Sequence, residues 1–374
     1  MSLYKNIVYY KPAVCDKNVW FSSITFNGLF HMDVDNDILE YLAPFSIENL
    51  CETNMFSMTI KISNYLVCVP FVASKIAIYN LISEECEYLD LPHASVGCSS
   101  FFYQALVEGD SVFLIPCRYK YIVEVKTKSK ELIEYDVFDE LLKQSEPPYV
   151  YKGACKIADK IYLGLSYENK LLEYNLKQRN IKEILLPYDI NGVTDIFYNE
   201  NMWIVGRCGK LIEYEMDGEH FKEYVLAETT ETLHYGIFFE SVIIGSNLYL
   251  SRSDVPEIVV FDMKENTLQS VRLHNEKKSS LLPVCIPTIY QVGNDVHAID
   301  DVGVEYVLRD VGGVVTIYEK KKLTIDVLLS NLKKDRRKHN LLGMAASIQS
   351  IGLDEFIEGV VDNSLGCMLF EENG

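Results

Sequence analysis

The chain has no long hydrophobic run. No stretch of about 18 apolar residues occurs in its 374 residues, so no transmembrane helix is expected. The start, Met1-Ser2-Leu3-Tyr4-Lys5-Asn6, lacks the basic and apolar regions of a secretory signal, and the expected location is cytoplasmic. Positive charge is scarce. Thirty-five Lys and Arg face 54 Asp and Glu, a net charge of −19, which argues against nucleic acid as the main partner because phosphate repels such a surface. The ten cysteines contain no C-x-x-C, and several sit inside apolar runs, as Cys68 does in Leu66-Val67-Cys68-Val69. Buried free thiols are expected rather than a disulfide framework, since a chain that is 48% hydrophobic can build its own core. No G-x-S-x-G elbow, Walker loop or G-x-G-x-x-G occurs, so those enzyme classes have no support. None of the seven histidines pairs at H-x-x-x-H spacing, and neither a metal site nor a cofactor is expected.

What is present is a repeat. Ile76-Ala77-Ile78-Tyr79-Asn80-Leu81 matches Leu171-Leu172-Glu173-Tyr174-Asn175-Leu176, and a polar turn and a second strand-like run follow each. Leu211–Met216, Ile258–Met263 and Gly28–Asp33 repeat the pattern, and Val123–Thr127 is a weaker copy. With Asp33, Asn80, Thr127, Asn175, Glu215 and Asp262 taken as equivalent, the period lies in the forties, the length of a four-stranded propeller blade. Each unit carries two earlier β-branched and aromatic runs, such as Phe56–Ile62 and Tyr65–Val67. The last unit is degenerate: 286–290, 295–299, 304–308 and 314–318 supply its strands. The fold expected is therefore all-β, a β-propeller of seven blades over 1–320, with six blades plus an irregular sheet as the alternative.

Residues 321–374 differ. Thr324 suits an N-cap, and Ile325, Leu328, Leu329 and Leu332 follow at helical spacing, then a basic run at 333–339 and a second apolar stripe from Leu341. A helical appendage is expected there, packing on the propeller or on a partner.

The unit "apolar strand, turn, I-x-x-Y-N/D-L, turn, x-E-Y-L, then Pro" resembles the bacterial propeller superfamily of NHL-like and virginiamycin B lyase-like repeats. Met202-Trp203-Ile204, Leu211–Tyr214 and Glu223-Tyr224 carry it most clearly, with Leu89–Pro92 and Leu185–Pro187 as repeat ends. The resemblance implies a bacterial toroid with a binding face. Lyases of this class use a histidine and bound magnesium on one face. That motif falls on no residue here, so the activity is not carried over.

Three of only eight arginines follow the second strand of a blade: Arg118, Arg207 and Arg252. Guanidinium forks bind carboxylate or phosphate, so this end of the blades is expected to hold an anionic small molecule, a sugar or a peptide terminus. The competing use is pairing with the chain's own carboxylates. Tyr119 beside Arg118, with Tyr149 and Tyr151 in a loop next to Pro147-Pro148, are further ligand candidates. The connections 43–55, 139–150, 226–236 and 273–284 are long enough to shape a site. Trp20 and Trp203 occupy similar second-strand positions and are expected to pack between blades. Asp33-Val34-Asp35-Asn36-Asp37 opens like a calcium loop. Ile38 and Pro44 stand where the loop needs Gly and Glu, so an acidic turn is expected. For catalysis, His234, Asp195 and Glu240 are the only weak candidates, as they fall near first-strand positions.

The functional expectation is a non-catalytic module binding such a ligand or a protein partner. The alternative is a propeller lyase or hydrolase acting on a sugar, lactone or peptide, and a divalent metal belongs only to that alternative. A scaffold recruiting a partner through 323–374 is a third reading.

Overall fold

The computed structural model describes residues 7–322, apart from 25–26, 37, 47–52, 94–99, 138–149, 151, 229–232, 234, 275–281 and 283. The expected helical appendage, its basic run, His234, Tyr149 and Tyr151 lie outside the described residues.

The fold is all-β, a propeller of seven four-stranded antiparallel blades. Blade 1 is β1 (Ala13–Cys15), β2 (Asn18–Ser22), β3 (Leu29–Asp33) and β4 (Ile38–Ala43). Blade 2 is β5 (Phe56–Ile62), β6 (Tyr65–Pro70), β7 (Lys75–Asn80) and β8 (Glu85–Asp90). Blade 3 is β9 (Phe102–Glu108), β10 (Ser111–Pro116), β11 (Tyr121–Lys126) and β12 (Glu131–Asp136). Blade 4 is β13 (Ala154–Ile157), β14 (Lys160–Gly164), β15 (Lys170–Asn175) and β16 (Asn180–Leu185). Blade 5 is β17 (Val193–Asn199), β18 (Asn201–Gly206), β19 (Lys210–Glu215) and β20 (His220–Val225). Blade 6 is β21 (Phe238–Ile244), β22 (Asn247–Arg252), β23 (Glu257–Asp262) and β24 (Thr267–Arg272). Blade 7 is β25 (Thr288–Val292), β26 (Asp295–Ile299), β27 (Val304–Val311) and β28 (Val314–Lys322). Within each blade the strands pair in chain order, the meander that short turns allow.

The second and third strands are nearly continuous apolar runs because both of their faces are covered. Leu66, Val67, Cys68 and Val69 of β6 have no exposed surface. Each such large side chain contributes about 1.5–3 kcal/mol of burial. Fourth strands are more exposed and alternate over their first four residues in β8 and β20, leaving polar residues to water. The seven described cysteines are free: Cys68, Cys117, Cys155 and Cys285 are buried, and Cys15, Cys86 and Cys208 are half-buried.

One residue type makes the repeat legible. At the end of β3, Asp33 Oδ1 accepts from the backbone N–H of Asp35 and Asn36, both at 3.1 Å. Asn80 does the same for Ile82 and Ser83, Asn175 for Lys177 and Gln178, and Asp262 for Lys264 and Glu265. These side chains cap the turn into the fourth strand, so Asp33 serves a turn, as its sequence context indicates. In blade 3 the register places Lys126, opposite Ser111, at this position. The expected equivalent, Thr127, is one residue late; its hydroxyl binds the Asp110 carbonyl at 2.9 Å instead.

The chain divides into two compact units. One comprises Met1–Leu89, Lys278–Leu282 and Thr288–Gly374, with blades 1, 2 and 7. Its core includes Trp20 with Phe56, Leu66 and Tyr79, and a second cluster of Tyr9, Phe21, Phe30, Tyr290 and Ile299. Blades 1 and 7 exchange no strand. They are joined by side chains: Tyr9 Oη meets Tyr290 Oη at 2.9 Å, and Tyr290 Oη donates to the buried Glu305. The other unit comprises Asp90–Lys277 and Pro283–Pro287, with blades 3 to 6. Trp203 packs there with Val205, Phe238 and Phe261, so both tryptophans fill the core. No helix among the described residues is long and apolar enough to cross a membrane.

Candidate ligand-binding site

The Asp90–Lys277 unit concentrates buried polar groups where its first strands begin. Antiparallel pairing sets these starts against the ends of the second strands: Val193 faces Gly206, and Phe238 faces Arg252. The register shifts just after both starts, between Val193 and Asp195 and between Phe238 and Ser241. Such bulges re-aim side chains, and here they occur at Thr194 and at Phe239-Glu240.

Close packing of blade 4 on blade 5 completes the arrangement. A Cβ at Gly164 would lie 2.3 Å from Val193 Cγ1. Gly192 has φ +92°, and a Cβ there would meet the Ser166 carbonyl oxygen at 2.1 Å. Glycine at both positions therefore lets the segments touch. Lys152, just ahead of β13, forms a parallel bridge with Asp195 of β17. Its ammonium reaches Glu240 in a buried ion pair, donates to the Phe239 carbonyl at 3.1 Å and lies 3.6 Å from the Phe239 ring centroid. The pair is closed to water, with side-chain exposures of 6% and 2%. The Ser251 hydroxyl accepts from the Glu240 backbone N–H at 3.0 Å. Asp195 Oδ2 accepts from the Ser241 hydroxyl, and its Oδ1 accepts from the Ile196 N–H at 2.9 Å. Burial pushes the neighbouring Cys155 thiol up to about 12, with the Asp195 charge adding to the effect, so it is no nucleophile at neutral pH.

Three buried oxygens here have no hydrogen-bond partner among the described residues: Glu240 Oε2, Thr194 Oγ1 and Ser166 Oγ. Buried polar atoms are nearly always satisfied by protein or by ordered water, and Arg207 Nη1 is a fourth buried atom of this end of the blades with no partner among the described residues.

The structure thus brings Asp195 and Glu240 together, through Lys152 and Ser241. Neither linking residue stood out in the sequence. Lys152 had one visible signal, a lone cation between Val150 and Ala154 at the edge of a strand-length run.

The three arginines share this end of the blades but not one register. Arg252 is the last residue of β22, Arg207 is one past β18, and Arg118 is two past β10. Their surroundings differ accordingly. Arg252 is bidentate to Asp254 at 2.9 and 2.6 Å and also meets Glu257 at 3.6 Å, the internal pairing that competes with ligand binding. Arg207 is buried; it donates to the Leu233 carbonyl at 3.1 Å and lies 4.7 Å over the Tyr167 ring. Arg118 is exposed, and its side chain makes no hydrogen bond or ion pair among the described residues. Tyr119 is buried rather than on the surface. Its hydroxyl donates to Glu134 at 2.7 Å and accepts from the His93 N–H at 3.0 Å.

The fold is that of a β-propeller. No protein-family model matches the chain, and no curated protein matches it by sequence. Solved structures do. The extracellular domain of BT4673 from B. thetaiotaomicron is similar with a TM-score of 0.56 and 18% identity, over 80% of this chain and 39% of that one. Kluyveromyces lactis Hsv2 is similar with a TM-score of 0.54 and 12% identity, over 85% and 99% of the two chains. The WD40 repeats of RRP9 give 0.52 and 12%, over 70% and 78%. At these identities the likeness is one of fold alone. The chain spans about two fifths of the BT4673 chain.

Proposed function

We propose that the protein is a non-catalytic binding module, holding a polar small molecule or peptide where second strands end and first strands begin in the Asp90–Lys277 unit. The observation that carries this reading is the buried Lys152–Glu240–Asp195 cluster, with three unpartnered oxygens among it and its neighbours. The anionic part of the reading rests on Arg118, the arginine left exposed. WD40 repeats among the similar folds accord with a protein partner as well.

The chemistry favours binding over turnover. Glu240 is neutralised by Lys152, and Asp195 is held by Ser241 and the Ile196 N–H, so neither is poised as an acid or base. The likeness to NHL-like repeats is part of the same reading and rests on the repeat residues alone.

A thermal-shift screen against acidic sugars, nucleotides, short peptides and divalent metals tests it, because a ligand of the folded state raises the melting temperature. A rise with an anionic compound that shrinks in Arg118→Ala is the expected result. A rise only with a divalent metal, lost in Asp195→Ala, would favour the lyase or hydrolase alternative. A flat screen would remove the small-ligand reading.

A further inference from the structure

We infer that the outer hairpin of blade 7 is a docking face for the chain's own segment 323–348. This hairpin departs from the other blades in length and in what it shows to solvent. β27 and β28 run over eight and nine residues, where every other third or fourth strand has five or six. Four of the twelve exposed large hydrophobic side chains among the described residues stand on it: Val311 at 66%, Val314 at 58%, Ile317 at 39% and Tyr318 at 64%. No other blade shows more than two among the described residues. The register gathers three of the four on one face. Val311 and Val314 are direct partners beside the turn, and Arg309 with Thr316 is the next pair on the same side. A bulge at Tyr318 then turns its ring onto the Arg309 guanidinium, 3.9 Å from the ring centroid. An apolar face on an outermost strand is a place that proteins cover with another element.

Position, reach and charge select the occupant. β28 ends at Lys322, and the chain runs on into Thr324, which suits an N-cap, and the stripe Ile325, Leu328, Leu329 and Leu332. Strand residues rise about 3.3 Å each, so Tyr318 stands about 13 Å and Val314 about 26 Å back from Lys322. A helix from Thr324 laid back along β28 reaches Leu332 after about 12 Å, level with Tyr318. The polar stretch 333–340 has length enough for the remaining 13 Å or so, which brings Leu341, Leu342 and Met344 to Val311 and Val314. On one unbroken helix Leu341 would face away from Ile325, so that polar stretch also turns the chain between the two stripes. Tethering at Lys322 keeps the segment at a high effective concentration beside the face. A second copy of the chain is the rival occupant, and it would bring a further charge of −19 to a molecule of the same charge. Residues 323–348 instead carry five Lys and Arg against two Asp.

Hydrogen exchange of the full chain tests this through the amides of 325–348, and hydroxyl-radical footprinting tests it through Tyr318. In the unaltered chain those amides should be protected, and Tyr318 should oxidise more slowly than Tyr198, whose exposure is 49%. Val311→Asp with Val314→Asp, both at the exposed tip, should speed exchange over 325–348 by about tenfold while the strands of blades 3 to 6 keep their protection. Leu328→Asp with Leu332→Asp should raise Tyr318 oxidation to the level of Tyr198. Ile82→Asp, at an exposed apolar residue of blade 2, should change neither readout. Unprotected amides over 325–348, or protection that the hairpin variant leaves intact, would overturn the inference. Sedimentation of the full chain covers the rival: a dimer that Val311→Asp with Val314→Asp dissolves would give the face to a second copy and overturn it too.

Discussion

At the scale of single residues, Lys152 decides how the candidate site holds together. Its ammonium has exchanged water for the Glu240 carboxylate, the Phe239 carbonyl and a ring face. Such a pair contributes little net stability over an apolar substitute, but breaking it strands a charge. Lys152→Met should therefore cost about 3–5 kcal/mol by leaving Glu240 buried and unpaired. The double change Lys152→Met with Glu240→Leu should recover most of that loss. Urea unfolding of the two variants measures the difference, and similar costs for both would show that the pair is not the cause. The residues also explain what the sequence could reveal here. Asp195 and Glu240 were legible as acids near first-strand starts. Lys152, Ser241 and Thr194 were not, because their roles arise from two bulges and a cross-blade bridge, which no local pattern encodes. Arg207 and Arg252 looked alike in sequence, yet one register step separates a side chain stacked on Tyr167 from one paired with Asp254.

At the scale of strands and turns, the blades were legible because turn chemistry repeats with the hydrophobic pattern. Two of the four turn caps are aspartates, Asp33 and Asp262, and two are asparagines, Asn80 and Asn175. The geometry is the same, but the response to acid is not. The Glu265 and Lys264 N–H groups and the Ser246 hydroxyl hold the Asp262 carboxyl below its ordinary 3.8. A depressed carboxyl contributes stability that is present above the unfolded value and lost as pH falls through the folded one. Asp262→Asn should thus leave stability at pH 7 within about 0.5 kcal/mol while removing that part of the loss below pH 3.8. Asp262→Ala, which deletes the acceptor, should cost about 1 kcal/mol at pH 7 and less at pH 3, where the wild-type carboxylate begins to lose its own contribution. Denaturant titrations at pH 7 and pH 3 separate the two variants. The degenerate last blade shows where the pattern gives out. Arg309 stands at the cap position there, forking onto Asp295 at 2.7 and 2.6 Å and lying 3.9 Å over Tyr318, and the cap moves one residue on, where Asp310 Oδ1 accepts from the Gly313 N–H at 2.8 Å. The strands were still recognisable there, since alternation survives where the cap residue has changed.

At the scale of the whole chain, charge is the property that sequence gives without ambiguity, and its consequence is testable. The net charge of −19 makes the folded chain repel itself. Exposed ion pairs oppose this, among them Lys177 with Asp159, Lys128 with Asp110 and Lys126 with Glu131. Each is worth about 0–1 kcal/mol, and salt weakens them together with the repulsion. The excess of like charge exceeds what the pairs consume, so screening should stabilise the fold. Raising sodium chloride from about 0.01 to about 1 M shortens the screening length from roughly 30 to roughly 3 Å. The melting temperature should rise over that range, and choline chloride should raise it equally, because generic screening does not depend on which cation supplies it. A fall with salt would mean that the ion pairs outweigh the repulsion. A rise with sodium but not with choline would point instead to a cation bound at a particular place.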